Sequence, residues 1–495
     1  MNITSLRNGA LLTALAVILT LPAKSAAESD LVVHPKQVGA MVDFGQIVNG
    51  EPLGTQSSDH QPLTRTGVFL TAGGTYNQKL ELRMTIGGLF WYPLPENPSP
   101  ERIVRFGPGV GQAQGIYSFG NPEEPTAQIQ FGLFPYKYNP DAVNLGEYLY
   151  RSGTYPGSLW SGGWSYLNSA SYMAQGAHLS LPMFGGVLKH DFTLFMERDI
   201  EPTNDLSPGY MVTYKPAPYF EASAGVVWSH AVSLNSKRLS PKTSQNAYIK
   251  STGTPVQGLS AACTSTNPAV QAFCADQDTA QGRVAWSAWA ACDTDNDGKP
   301  DANGNCSDIG YYTFRGFKTS ARASLDVGQL LNSEAVRAGE FKVYGEIALL
   351  GVEDQPFYYE NKSERMPMML GVALPTFGIL DQLSLEGEYH KSRFNNTVGL
   401  LYDREVPVPL KDASQDNPYA YSDAAVAANE DKFTKDDIKW SVYARRKITE
   451  GVTLHAQAAS DHLRHFGAEV KPTESPVTRT PSEWYYVLRL DFGLF

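Results

Sequence analysis

The sequence predicts an all-β fold: a transmembrane antiparallel β-barrel of about sixteen strands, with 14 or 18 as the even alternatives. Three observations carry that prediction. An apolar stretch near the N-terminus is too short to cross a bilayer as a helix. Many segments alternate apolar and polar residues with period 2. Short turns and long polar connections succeed one another along the chain.

The N-terminal stretch reads as a secretory signal. Arg7 supplies the positive charge, Ala10 to Leu21 (ALLTALAVILTL) the apolar core, and Ser25-Ala26-Ala27 a small-residue cleavage site. Residues 1–27 are expected to be removed on export by the Sec route, leaving 28–495 as one mature barrel. No later stretch approaches the roughly 20 apolar residues of a membrane helix. Mean hydropathy is −0.28, which excludes an ordinary helical inner-membrane protein. With 44 Gly, 26 Tyr, 22 Phe and only 18% charged residues, the composition suits strands, tight turns and aromatic belts. A formal net charge of −11 argues against a nucleic-acid partner, which needs a basic surface.

Alternation is clearest near the C-terminus. Val452, Leu454, Ala456 and Ala458 share one face and Thr453, His455 and Gln457 the other. Ile438, Trp440, Val442 and Ala444 alternate in the same way with Lys439, Ser441, Tyr443 and Arg445. Leu383, Leu385, Gly387 and Tyr389 oppose Ser384, Glu386, Glu388 and His390, and Leu80, Leu82, Met84 and Ile86 oppose Glu81, Arg83 and Thr85. In a lipid-embedded barrel the apolar face points outward and the polar face lines the lumen.

Short turns fall near Tyr76-Asn77, Pro182 to Gly186, Lys215 to Pro218, Pro375 to Leu380 and Thr449 to Gly451. Long connections fall near 49–63, 93–124, 197–208, 234–307, 353–364, 394–434 and 465–481. Bacterial barrels have short periplasmic turns and longer extracellular loops. Sixteen strands result if one lies within 147–170, needed because Ala127 to Pro135 and Ala177 to Leu181 would otherwise run in the same direction. Two segments stand outside the pattern. Asn139 to Tyr150 is expected to be a short helix in a connection, or alternatively a constriction folded into the pore; Gln329 to Gly339 is expected to be a short helix inside a turn.

The final residues, WYYVLRLDFGLF, place Tyr486, Leu488, Leu490, Phe492 and Leu494 on one face and Arg489 and Asp491 on the other, and end on Phe495. This resembles the terminal β-signal of Gram-negative outer-membrane proteins, although Phe495 is out of phase with the apolar residues before it. The resemblance implies recognition by the barrel-assembly machinery and a place in the cell outer membrane, embedded in its lipid. About sixteen strands around a polar lumen resemble the porins, which implies passive diffusion of small hydrophilic solutes and, by analogy, a homotrimer.

The expected channel lining is Arg322, Asp326, Lys342, Glu346, Glu386, Glu388, His390, Lys439, Arg445, His455, Arg489 and Asp491. Mixed charges in a large barrel hold water and tune which solutes pass, or else pair with one another across neighbouring strands. The loop 234–307 carries Asp293, Asp295, Asp297 and Asp301, with Gly298 allowing a sharp turn. That spacing curls oxygens around one hard cation and resembles the calcium loops of thrombospondin type 3 repeats, implying a structural calcium ion. A solvated acidic turn is the alternative. Cys263, Cys274, Cys292 and Cys306 lie in the same loop; in an oxidising compartment they suggest disulfides, the most local connectivity being 263 with 274 and 292 with 306.

Tyr148, Tyr150, Tyr155, Trp160, Trp164, Tyr166 and Tyr172 form an aromatic cluster that fits interfacial belts or, alternatively, stacking on a saccharide. No nucleophile elbow, phosphate loop or zinc helix is present in the sequence. The expected function is therefore a porin-like diffusion channel rather than an enzyme. A plugged adhesion or binding barrel is the first rival, and an outer-membrane hydrolase the second.

Overall fold

The computed structural model describes residues 31–49, 52–53, 56–57, 62–91, 105–150, 172–196, 204–232, 247–249, 309–311, 316–332, 336–352, 362–391, 438–460, 464–466, 472–474 and 484–493. Sixteen of its strands form the barrel. They are β1 (Gln37–Asn49), β2 (Pro62–Tyr76), β3 (Leu80–Trp91), β4 (Arg105–Gly120), β5 (Pro125–Tyr136), β6 (Tyr172–Met183), β7 (Leu188–Met196) and β8 (Leu206–Ala217). They continue with β9 (Phe220–Ser229), β10 (Gly316–Asp326), β11 (Lys342–Leu350), β12 (Met368–Ala373), β13 (Gln382–Tyr389), β14 (Ile438–Thr449), β15 (Val452–Ala459) and β16 (Trp484–Gly493). Each strand pairs antiparallel with its neighbours in sequence. The ring closes where β1 meets β16, with Val42 opposite Leu490 and Asp43 opposite Arg489. Closure matters because an open sheet edge would leave its backbone N–H and C=O groups unsatisfied in lipid. A three-residue strand, Leu31–Val33, also pairs with the start-to-end half of β2, Leu31 lying opposite Tyr76.

Alternation has the inside-out sense of a membrane barrel. Leu370 is 62% exposed on the outer face of β12, whereas Glu346, inward on the adjacent β11, is only 4% exposed. Phe44, Val68, Leu82, Phe131, Phe192, Ile438 and Leu488 are likewise exposed outside, while Asp43, Thr85, Asp191, Ser384, Glu386, Lys439 and Arg489 are buried inside. In water this distribution would expose far more apolar surface than a soluble monomer carries. Against hydrocarbon it is the stable one.

Shorter and longer connections succeed one another around the ring, although the turn between Asp326 and Lys342 is longer than the connection between Met196 and Leu206. The strand count of sixteen is right, but two of its elements need correcting. Residues 105–120, expected within a loop, form β4, and Pro125–Tyr136 lies directly beside Tyr172–Met183 with Gln128 opposite Ser180, so no strand intervenes between them. Tyr148 to Tyr150 form a turn, and 151–171 lie outside the described residues. β4 is disguised because its first half, RFGPGVGQAQG, reads as punctuation. A β-bulge opposite Thr85 and Ile86 accommodates it. At Gly115 the Phe131 ring of β5 covers the backbone so closely that a Cβ would lie 2.3 Å from the ring. The aromatic side chain thus supplies the outer apolar surface that the glycine lacks.

The helix expected over Gln329 to Gly339 forms earlier, as α1 (Val327–Leu331), because Asp326 caps its N-terminus and Asn332 ends it in the left-handed region. The signal segment, the calcium-type aspartates, the four cysteines and Phe495 lie outside the described residues.

Candidate functional site: the barrel interior

The residues after β5 do not leave the barrel. Lys137 to Tyr150 are almost entirely buried inside it, among side chains of the inner wall. They do not form a helix. Asn139-Pro140 at the start, and Gly146 and Glu147 in the left-handed region (φ 86° and 59°), interrupt any helical ladder. The backbone N–H groups of such a segment must be satisfied some other way once water is excluded.

Two wall carboxylates do this. Glu386 on β13 accepts from the backbone N–H groups of Val143 (2.5 Å), Asn144 (2.8 Å) and Leu145 (2.9 Å). The Tyr344 hydroxyl on β11 donates to the same carboxylate at 3.0 Å. Glu346, also on β11, accepts from the N–H groups of Glu147 (3.1 Å) and Tyr148 (3.2 Å), from Asn139 Nδ2 (2.8 Å) and from the Tyr138 hydroxyl. Charge-assisted bonds of this kind are roughly twice as strong as neutral ones, so two side chains anchor a whole irregular segment.

Further bonds extend the fastening. Tyr148 donates to Glu388 on β13 (2.9 Å), and Lys342 on β11 donates to Asp141 (2.9 Å). Gln457 on β15 donates to Asn144 Oδ1 (3.0 Å), and Tyr150 exchanges a hydrogen bond with Thr193 on β7 (2.7 Å). Where the segment leaves the wall, Tyr136, Tyr138, Leu149 and Tyr150 pack with Phe134, Phe195, Met211 and Val227. Tyr136 meets Tyr150 edge-to-face at 5.5 Å. The segment therefore lies along the inside of the barrel from β7 round to β16 and β1, where Val143 packs on Ile47, Tyr443, Tyr485 and Val487, and narrows the lumen from that side. Tyr148 and Tyr150 are thus neither membrane-belt residues nor free faces for a solute: both rings are buried and both hydroxyls are bonded.

Glu147 is the titratable group most affected. Burial pushes its carboxyl up to about 8, beyond what Lys137 offsets, and the neighbouring Glu346 adds to the rise. Its Oε1 accepts from the N–H groups of Tyr138 and Asn139. Burial acts on Asp141 in the same direction, but hydrogen bonds from Lys342 and Ser324 outweigh it and hold this carboxyl below its ordinary value. Burial and the Glu346 charge raise the Tyr138 hydroxyl well above its ordinary value.

All twelve sequence-selected charged residues lie on β10, β11, β13 to β16 or directly after β13, but they are used differently. Glu346, Glu386, Glu388 and Lys342 hold the segment. Asp326 spends both oxygens on the turn below β10, accepting from Gln329 N–H (2.9 Å) and Gly339 N–H (2.7 Å). Arg322 pairs with Glu221 on β9. His455 bonds the Tyr443 hydroxyl (2.7 Å) and Asp491 (3.0 Å). Arg445 is exposed near a barrel end, while His390 and Lys439 are buried.

Arg489 is bound by a residue the sequence reading did not select. Asp43 on β1 accepts from Arg489 Nε (2.7 Å) and Nη2 (3.0 Å) and from Arg65 Nε on β2 (2.8 Å). All three are buried, and they lie side by side across the closing seam. The signal was present: Asp43 lies between Val42 and Phe44, apolar residues of the opposite, outward face. Lys318 and Asp191 are also buried inner-wall charges that were not selected.

No protein-family model and no curated protein matches this sequence. Solved structures that it resembles include Salmonella typhi OmpF in complex with daunomycin, at 11% identity, 93% coverage of this chain, 97% of that chain and a TM-score of 0.41. Pseudomonas putida OprB at high pH gives 8% identity, 94% coverage of each chain and a TM-score of 0.40. A mutant Rh. blastica porin gives 8% identity, 93% and 100% coverage and a TM-score of 0.38. Likeness this faint carries no functional argument, which rests on the geometry above.

Proposed function

We propose that this protein is a porin-like channel of the outer membrane through which small hydrophilic solutes diffuse passively, with residues 137–150 setting the bore. The observation that carries this reading is the combination of an apolar outer wall, a polar inner wall and an inward segment pinned to one side of the lumen by Glu346 and Glu386.

In this reading the short turns face the periplasm and the long connections the exterior. Asp293, Asp295, Asp297 and Asp301 bind a structural calcium ion in the external loop, whose four cysteines form disulfides. The last strand guides assembly, and the barrel works as a homotrimer.

Planar-bilayer recording tests the central claim. Folded, purified protein is expected to give discrete conductance steps at neutral pH; a folded protein that passes no ions sinks the channel reading.

A further inference from the structure

The wall that the segment leaves uncovered has a chemistry of its own. On β2 to β5 the inward side chains include Thr71, Thr85, Gln112, Gln114, Ser118, Gln128 and Gln130, a run of hydroxyls and primary amides on four adjacent strands. They bond across the strands. Thr71 and Thr85 exchange a hydrogen bond at 2.8 Å, and Thr85 Oγ1 reaches Gln112 Oε1 at 3.5 Å. Gln130 Nε2 donates to Gln114 Oε1 at 2.7 Å, and Gln128 Nε2 to Ser118 Oγ at 3.3 Å. These bonds use one end of each amide. Among the described residues, the Nε2 groups of Gln112 and Gln114 and the Oε1 groups of Gln128 and Gln130 make no recorded hydrogen bond; Gln112, Gln128 and Gln130 are half-buried and Gln114 is buried.

The wall is also shaped. Beside Gln114 in the same row lie Gly132 and Gly176, paired directly across β5 and β6. Their φ values of 108° and 148° disfavour any L side chain, and a Cβ at either would lie within 2.2 Å of a backbone oxygen of the neighbouring strand, so no side chain stands in the row beside Gln114. The charges described on this wall are paired. The charged inward residues described on β2 to β5 are Arg65, Glu81 and Arg83; Arg65 is held by Asp43, and Arg83 bonds Glu81 at 2.8 Å.

We propose that this wall is a binding track for neutral, hydroxyl-rich solutes of the sugar or sugar-alcohol type. A primary amide both donates and accepts, as a hydroxyl does, and each solute hydroxyl needs both functions met when it leaves water. A wall for ions would instead present unpaired charge, and a wall for apolar solutes would not carry seven hydrogen-bonding side chains. The inference rests on the channel reading and adds a solute class to it.

The test is ion current through single channels in a planar bilayer as glucose or sorbitol is added, with a polyethylene glycol of similar mass as a control that has donors only at its ends. Saturable reduction of current by both polyols, and not by the glycol, is expected. In Gln114→Met/Gln130→Met the half-saturating polyol concentration is expected to rise about tenfold, the equivalent of one or two lost hydrogen bonds, with ion conductance unchanged. Thr71→Val/Thr85→Val keeps shape and serves if the first variant does not assemble. A channel that conducts but shows no saturable polyol effect overturns the track while leaving the channel intact. So does a polyol effect that the glycol equals and neither variant alters. A folded protein with no conductance removes both.

Discussion

On β11 and β13, buried carboxylates are spent on the backbone of another segment, whereas on β2 to β5 the polar side chains bond sideways to one another and keep an edge for the lumen. The first wall carries more formal charge, yet Glu346 and Glu386 accept four bonds each and Lys342 is paired with Asp141. Charge counted from the sequence therefore overstates what a solute meets there. The second wall's described charges, Arg65, Glu81 and Arg83, are paired, and its amides offer more open hydrogen-bonding capacity. Inside a barrel, a residue's role depends on whether another segment reaches it first.

The seam between the walls should break hardest. Asp43→Asn leaves Arg65 and Arg489 buried beside a neutral amide, and removing one partner of a buried ion pair costs about 3–5 kcal/mol. Denaturant unfolding in detergent, followed through tryptophan fluorescence, should show that loss at the β16–β1–β2 closure. Any protein that does assemble should keep its single-channel conductance, since Glu346 and Glu386, which anchor the inward segment, lie on other strands.

Glu386→Ala should do the reverse. It leaves the N–H groups of Val143, Asn144 and Leu145 without their acceptor, at about 1–3 kcal/mol for each that stays buried. Lifting the segment off the wall is the cheaper outcome. Single-channel conductance is expected to rise, and protease access between 137 and 150 to increase, while the strands stay paired. An unchanged conductance would mean that the remaining anchors, Glu346 above all, suffice to hold the bore.

The two regions were unequally legible in the sequence. Period-2 alternation and the turn-loop rhythm are local, so Leu383 to His390 and Val452 to Ala458 declared both their strands and their faces. β4 was hidden because the residue that completes its surface, Phe131, belongs to the next strand. The inward segment was hidden more deeply. Tyr138 meets Glu346 across 208 positions and Val143 meets Glu386 across 243, and nothing near NPDAVNLGEYLY says where its N–H groups will find acceptors. For Glu346 and Glu386, alternation gives a direction and no partner. Asp43 is a different case: its phase was readable and only its pairing with Arg65 and Arg489 required the closed ring.

Glu147 sharpens the comparison by pH, because only the covered wall depends on it. Its carboxyl titrates at about 8 when docked, against an ordinary value of 4.5. Undocking therefore releases a proton at any pH between those values, and the docked form gains most below 4.5. Docking weakens progressively as pH rises through that window and loses little more above about 8, where Glu147 is charged in both forms. Conductance or its open-channel noise is expected to increase from pH 6 to pH 9, with no matching change in polyol binding on the opposite wall. In Glu147→Gln the amide cannot ionise, so the pH dependence should vanish while the acceptor for Tyr138 and Asn139 N–H is kept. A pH response that survives in Glu147→Gln would assign the titration to another group and leave the anchors on Glu346 and Glu386 to be tested by substitution alone.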